Sequence, residues 1–179
     1  MPVPRPAGLL PAALSLFVLL SPAHAAPAFT LDPDPEWRRA ATLAELTDVL
    51  EAWLDARGVY TRKPPPVIRL IDSARAASLQ GISARMGQRT RGLYDAATGT
   101  VYLVGPWSMD RAQDVSVLLH ELVHHRQAGA RHWYCGGAQE PEAYDLQSEW
   151  LAERGLSARI DRIAVVLEAG CTPRDIHPD

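Results

Sequence analysis

The chain is poor in sulfur and phenylalanine and has no surplus of positive charge. Two cysteines among 179 residues exclude a scaffold held together mainly by disulfides. With 18 basic residues against 21 acidic ones the net charge is −3, so no basic field exists to hold nucleic acid. Beyond residue 20 no apolar run approaches the roughly 20 residues needed to span a bilayer. Internal repeats and an interdomain linker are both lacking, which leaves one domain of ordinary proportions.

The single long apolar run lies at the start. Arg5 precedes Leu9 to Leu20, a stretch broken only by Pro11 and Ser15, and Ala23-His24-Ala25 follows as a small-residue cleavage site. This pattern predicts a signal peptide over residues 1–25, with the mature chain starting at Ala26. The run is too short for a membrane anchor. Export to the periplasm or beyond is therefore expected for the domain of residues 26–179, and loss of Arg5 makes it slightly more acidic than the whole chain. In an oxidising compartment an even cysteine count argues for a disulfide between Cys135 and Cys171. It would close a loop of about 37 residues and contribute about 3–4 kcal/mol in the chain-entropy view.

Apolar spacing organises the rest. Leu43, Leu46, Val49, Leu50, Trp53 and Leu54 recur at helical steps over residues 42–57, with Thr42 and Glu45 as a capping box and Gly58 as the stop. After Pro64-Pro65-Pro66, residues 67–71 alternate like a strand and residues 73–80 suit a short helix. Residues 81–92 read as a loop in which Arg85, Arg89 and Arg91 form either a solvated surface or a rim for acidic groups. Segments 93–95 and 100–104 around Ala96-Ala97-Thr98-Gly99 predict a hairpin. A helix over residues 110–128 follows, with Asp110 and Gln113 as its capping box. Pro141 starts another over residues 141–154, and a last one covers residues 156–169.

Within the 110–128 helix stands His120-Glu121-Leu122-Val123-His124. Two histidines four residues apart lie about 40° apart on the helical wheel, so both imidazoles can hold one zinc ion. Val115, Leu118, Leu119 and Leu122 occupy nearly the opposite side and supply a core face. Glu121 sits on the flank of the histidine face, where it can take a proton from a water on the metal. A catalytic zinc needs a third protein ligand. The pattern that supplies a third histidine fails, because Gln127 and Ala130 stand where it requires glycine and histidine. Glu142, 18 residues after His124 in the first turn of the next helix, is the favoured third ligand, kept ionised by the helix dipole. His132 is the alternative. Asp145 is placed to orient one zinc histidine through its other ring nitrogen. Glu149 is a spare carboxylate, Glu140 a helix cap and His125 a polar neighbour.

Residues 118–127 (LLHELVHHRQ) and 140–147 (EPEAYDLQ) together resemble the zincin superfamily of metallopeptidases, in its glutamate-liganded, gluzincin-like branch. They are most similar to small exported bacterial proteins of zincin-like fold. The resemblance covers roughly residues 90 to 151. It implies an α+β domain with a small twisted sheet packed on the active-site helix and an edge strand able to hold an extended peptide. It also implies one zinc ion on His120, His124 and Glu142, with Glu121 as general base, in a hydrolase of peptide or protein substrates. Tyr134 and Tyr144 are candidate donors to a developing oxyanion. Trp107, Trp133 and Trp150 line either core or cleft. Two rivals stand beside the peptidase: a zinc-binding protein without catalysis, and a chance pair of histidines on a polar helix face.

Overall fold

A computed structural model describes residue 1, residues 35–80 and residues 90–171. The expected leader and most of the 81–92 loop, including Arg85 and Arg89, lie outside the described residues. The fold is mixed α+β. Helix α1 (Leu43–Asp55) precedes strand β1 (Val67–Ile71) and helix α2 (Ser73–Gln80). Strands β2 (Gly92–Asp95) and β3 (Thr100–Val104) lead into helix α3 (Ala112–Gln127), then α4 (Glu140–Ala152) and α5 (Arg162–Ala169). Among the described residues no helix is long and apolar enough to cross a membrane.

The sheet has the order β1-β3-β2. The hairpin pairs β2 with β3 antiparallel, with Leu93 opposite Tyr102, while β1 joins the other side of β3 in parallel, with Arg69 also opposite Tyr102. Among the described residues only β3 has neighbours on both sides, and its Val101 and Leu103 are fully buried. β2 is thus an edge strand, with no partner strand on its outer side among the described residues.

Helix α3 packs on β2 and β3 and against α1 and α4. Every residue from Asp114 to Gln127 is buried. The expectation of one apolar face and one open face is therefore too simple, since the polar face is enclosed as well. Enclosure requires partners for each polar group, and the structure supplies them. Arg126, fully buried, donates from Nε to Glu51 (2.7 Å), from Nη1 to the Val59 carbonyl (2.7 Å) and from Nη2 to Asp55 (2.6 Å). Lys63, the chain's single lysine, donates to the His125 carbonyl (2.8 Å) and to that of Ala128, closing the carbonyl end of α3. His125 bonds the Pro64 carbonyl (2.9 Å) and the Tyr94 hydroxyl (3.1 Å), as a polar neighbour should.

Caps decide where helices begin. Thr42 accepts from the Glu45 amide (3.2 Å), and Glu45 reaches back to the Ala41 amide (2.8 Å). Gly58, at φ +65, ends the turn after α1. The expected Asp110–Gln113 box is not formed. Instead buried Asp114 accepts from the Ser108 amide (2.9 Å) and pairs with Arg91 and with Arg111 (2.6 Å). Helix α5 starts at residue 162 and not 156, because Asp161 Oδ1 caps the Ile163 and Ala164 amides, both at 3.1 Å. Residues 156–160 carry no regular secondary structure.

Cys135 and Cys171 form a disulfide (S–S 2.00 Å) that ties the loop after α3 to the end of α5. Trp150 is buried in the core beside Trp37, ring centroids 5.8 Å apart. Trp107 donates to the Asp114 carbonyl (2.6 Å) and Trp133 to that of Gln127 (3.0 Å). Core and loop packing thus account for all three tryptophans, and none lines the cleft described next.

Candidate metal centre

A cleft of about 980 Å³ runs between β2 on one side and residues 136–140 and 158–160 on the other. The side chains of His120, Glu121 and His124 form its floor. The helical spacing does what elementary geometry demands: His120 and His124 point their Nε2 atoms at each other, 3.0 Å apart. Glu140 completes the triangle, with Oε2 3.4 Å from His120 Nε2 and Oε1 3.7 Å from His124 Nε2. These are the described residues that offer three ligand atoms within 4.8 Å of one another.

The triangle suits a tetrahedral cation. Ligand atoms about 2.0–2.1 Å from one zinc lie about 3.3 Å apart, close to the three edges observed. The donor set, two imidazoles and a carboxylate, is also the kind that leaves zinc a fourth position.

The structure brings Glu140, and not the expected Glu142, beside the two histidines. The two residues lie about 200° apart around α4, so only one can face the histidines. Glu140 shares its side of the helix with Tyr144 and Gln147, at steps of four and three, and all three line the cleft. Glu142 Oε2 instead accepts from the Tyr60 hydroxyl (2.7 Å) and from Gln127 Nε2 (3.0 Å).

That arrangement gives Glu142 a supporting task. Gln127, fully buried, also donates to the Gln139 carbonyl (3.2 Å). With its amide nitrogen facing two acceptors, its oxygen must face His124 Nδ1, at 2.9 Å. The His124 proton therefore sits on Nδ1 and the Nε2 lone pair points into the triangle. Burial pushes the Tyr60 hydroxyl up to about 12, and the bonded Glu142 carboxylate adds to the shift, so Tyr60 stays a donor. Asp145, the expected orienting group, points elsewhere: it is exposed and pairs with Arg162. Glu149 pairs with Arg57 (2.9 Å).

Electrostatics favour a cation here. Burial pushes the Glu121 carboxyl up to about 7, opposed by the charge of His120 and reinforced by that of Glu140. Burial works against a protonated His120, but the hydrogen bond to Glu140 and the nearby Glu121 charge outweigh it and raise the ring above its ordinary value. Two carboxylates in one buried spot thus draw positive charge to the imidazoles. His120 Nδ1 is buried, with no hydrogen-bond partner of good geometry among the described residues. Gly92 in β2 explains how Glu121 fits, because a Cβ there would stand 2.4 Å from its Oε1.

Of the two candidate tyrosines, Tyr144 lines the cleft with its ring centroid 4.5 Å from that of His120. Tyr134 is exposed and packs on His132, centroids 5.6 Å apart, away from the triangle. His132 accordingly supplies no third ligand. Glu140, Gln127 and Gly92 were not singled out as site residues from the sequence. A signal for Glu140 was present in the shared phase of residues 140, 144 and 147.

A family model described as a domain of unknown function, DUF6647, matches residues 39–179. No curated protein and no solved structure matches the chain.

Proposed function

This chain belongs to the DUF6647 family, and for it we propose an exported, zincin-like, zinc-dependent hydrolase of peptide bonds. The observation that carries the reading is the convergence of His120 Nε2, His124 Nε2 and the Glu140 carboxylate at edges of 3.0, 3.4 and 3.7 Å, with Glu121 beside them. These three residues would hold the ion, which when bound supplies a Lewis acid that polarises a carbonyl and acidifies a water. Glu121 takes the proton from the attacking water and delivers it to the departing amine. Tyr144 lines the cleft beside His120, where its hydroxyl serves a developing oxyanion. The outer edge of β2, without a partner strand among the described residues, offers backbone groups to an extended polypeptide, and such a chain would lie along the cleft wall.

The competing reading is a zinc-binding protein without catalysis. Elemental analysis together with a peptide-library assay separates the two. One zinc per chain with metal-dependent cleavage is expected, whereas stoichiometric zinc without cleavage supports the binder.

The hydrogen-bond chain behind His124 yields a further expectation. Gln127→Leu removes the acceptor that fixes the Nδ1–H tautomer and should weaken zinc binding about 10- to 100-fold. Competition titration against a fluorescent chelator measures it. Unchanged affinity would show that the relay is idle.

A further inference from the structure

We propose that the cleft selects polypeptides bearing an acidic group about three residues from the bond lying at the metal triangle. The inference rests on the peptidase reading for the position of that bond, and on a separate observation for the selectivity.

The cleft is polarised along its length. Two arginines, Arg91 and Arg159, line it. Both are fastened to the start of α3. Arg91 pairs with Asp114 in the first turn, and the segment carrying Arg159 is tied there by Gln113 Nε2, which donates to the Ser157 carbonyl (3.0 Å). Asp114 is also shared with Arg111, so among the described residues one buried carboxylate meets two guanidinium groups and balances only one of the two positive charges. Arg159 is exposed, and no acidic partner for it occurs among the described residues. The positive end of the α3 dipole adds to the same field. Ala96, at the far end of β2 from Arg91, also lines the cleft and carries no charge, as do Gly136 and Gly137. A cationic end therefore sits in the cleft of a chain that is acidic overall.

The spacing follows from helix geometry. Gln113 lies seven residues before His120 on α3, a rise of about 10 Å. An extended chain advances about 3.3 Å per residue, so about three residues separate the metal triangle from the arginines. A carboxylate there, whether a side chain or a chain terminus, meets a guanidinium suited to bidentate recognition.

The test uses zinc-loaded Glu121→Gln protein, which holds a peptide without cutting it, and fluorescein-labelled peptides read by anisotropy. The peptides share one sequence except for Asp, Ala or Arg at each position along the chain. Binding about five- to tenfold tighter for the acidic than for the basic peptide is expected at low salt, with the gap narrowing as salt rises. Arg159→Glu should reverse the order. Arg69→Glu, the same charge change on exposed β1, should leave the ratio intact. Equal binding of acidic and basic peptides, or a preference that survives Arg159→Glu, overturns the proposal. Acidic preference in protein that takes up no zinc would instead support the subsite and remove the metallopeptidase reading. A free carboxy-terminal carboxylate and an internal Asp are told apart by amidating the terminus.

Discussion

Glu121→Gln is expected to lower hydrolysis by about 10²- to 10⁴-fold while zinc stays bound. Glutamine has the size of glutamate, so it fits the space that Gly92 leaves open beside the carboxylate. It cannot, however, accept a proton from water. Glu121 is not one of the three converging ligand groups, which is why the metal should remain. Burial and the Glu140 charge, opposed by that of His120, push its carboxyl up to about 7; a divalent cation held at the triangle would draw it down and favour the ionised base at neutral pH. Single-turnover cleavage of a peptide substrate, with zinc measured on the same sample, checks both halves. Cleavage at the full rate would remove Glu121 from the chemistry.

Arg126→Ala should destabilise the fold by about 3–5 kcal/mol, one of the largest costs of any single side chain here. The guanidinium is completely enclosed and serves the Glu51 and Asp55 carboxylates and the backbone carbonyls of Glu51, Val59 and Tyr60 at once. Removing it leaves the Glu51 carboxylate, itself 3% exposed, with only the more distant Arg62 guanidinium (3.9 Å) as a cation among the described residues. The double variant Arg126→Ala, Glu51→Gln should recover part of the loss, since a neutral amide is less costly to bury. Urea unfolding of the metal-free protein reads the difference directly. A loss below about 1 kcal/mol would mean that water reaches these groups after substitution. The effect also bears on the site, because Arg126 follows His124 by two residues and anchors that end of α3 to α1.

Local geometry explains which parts could be read beforehand. The histidine pair is fixed by a four-residue step on one helix, and the structure brings the two ring nitrogens together without tertiary help beyond α3 itself. The 100–104 strand with its hairpin and the Thr42 cap are equally local, and the cysteine pair follows from there being two cysteines in the chain. The third carboxylate is different. Choosing between Glu140 and Glu142 requires the rotation of α4 about its axis, and packing of Ala143, Trp150 and Leu151 against the core sets that rotation. Those three positions lie at steps of seven and one, and Glu140 stands three residues before the first, so the phase was latent in the sequence. The parallel pairing of β1 with β3 has no local trace, because it depends on how the chain returns from α2. Arg126 and Gln127 read as ordinary polar residues at a helix end, yet enclosure of α3 on all sides makes one a clamp and the other the support of His124.

Zinc content of the Glu140→Ala and Glu142→Ala proteins, measured beside the unaltered chain, tests the central assignment most directly. The arrangement described here predicts one zinc per chain in the unaltered protein, its loss on Glu140→Ala, and retention at reduced affinity on Glu142→Ala. A chain that binds no zinc, or one that keeps zinc without Glu140 and loses it without Glu142, would contradict it.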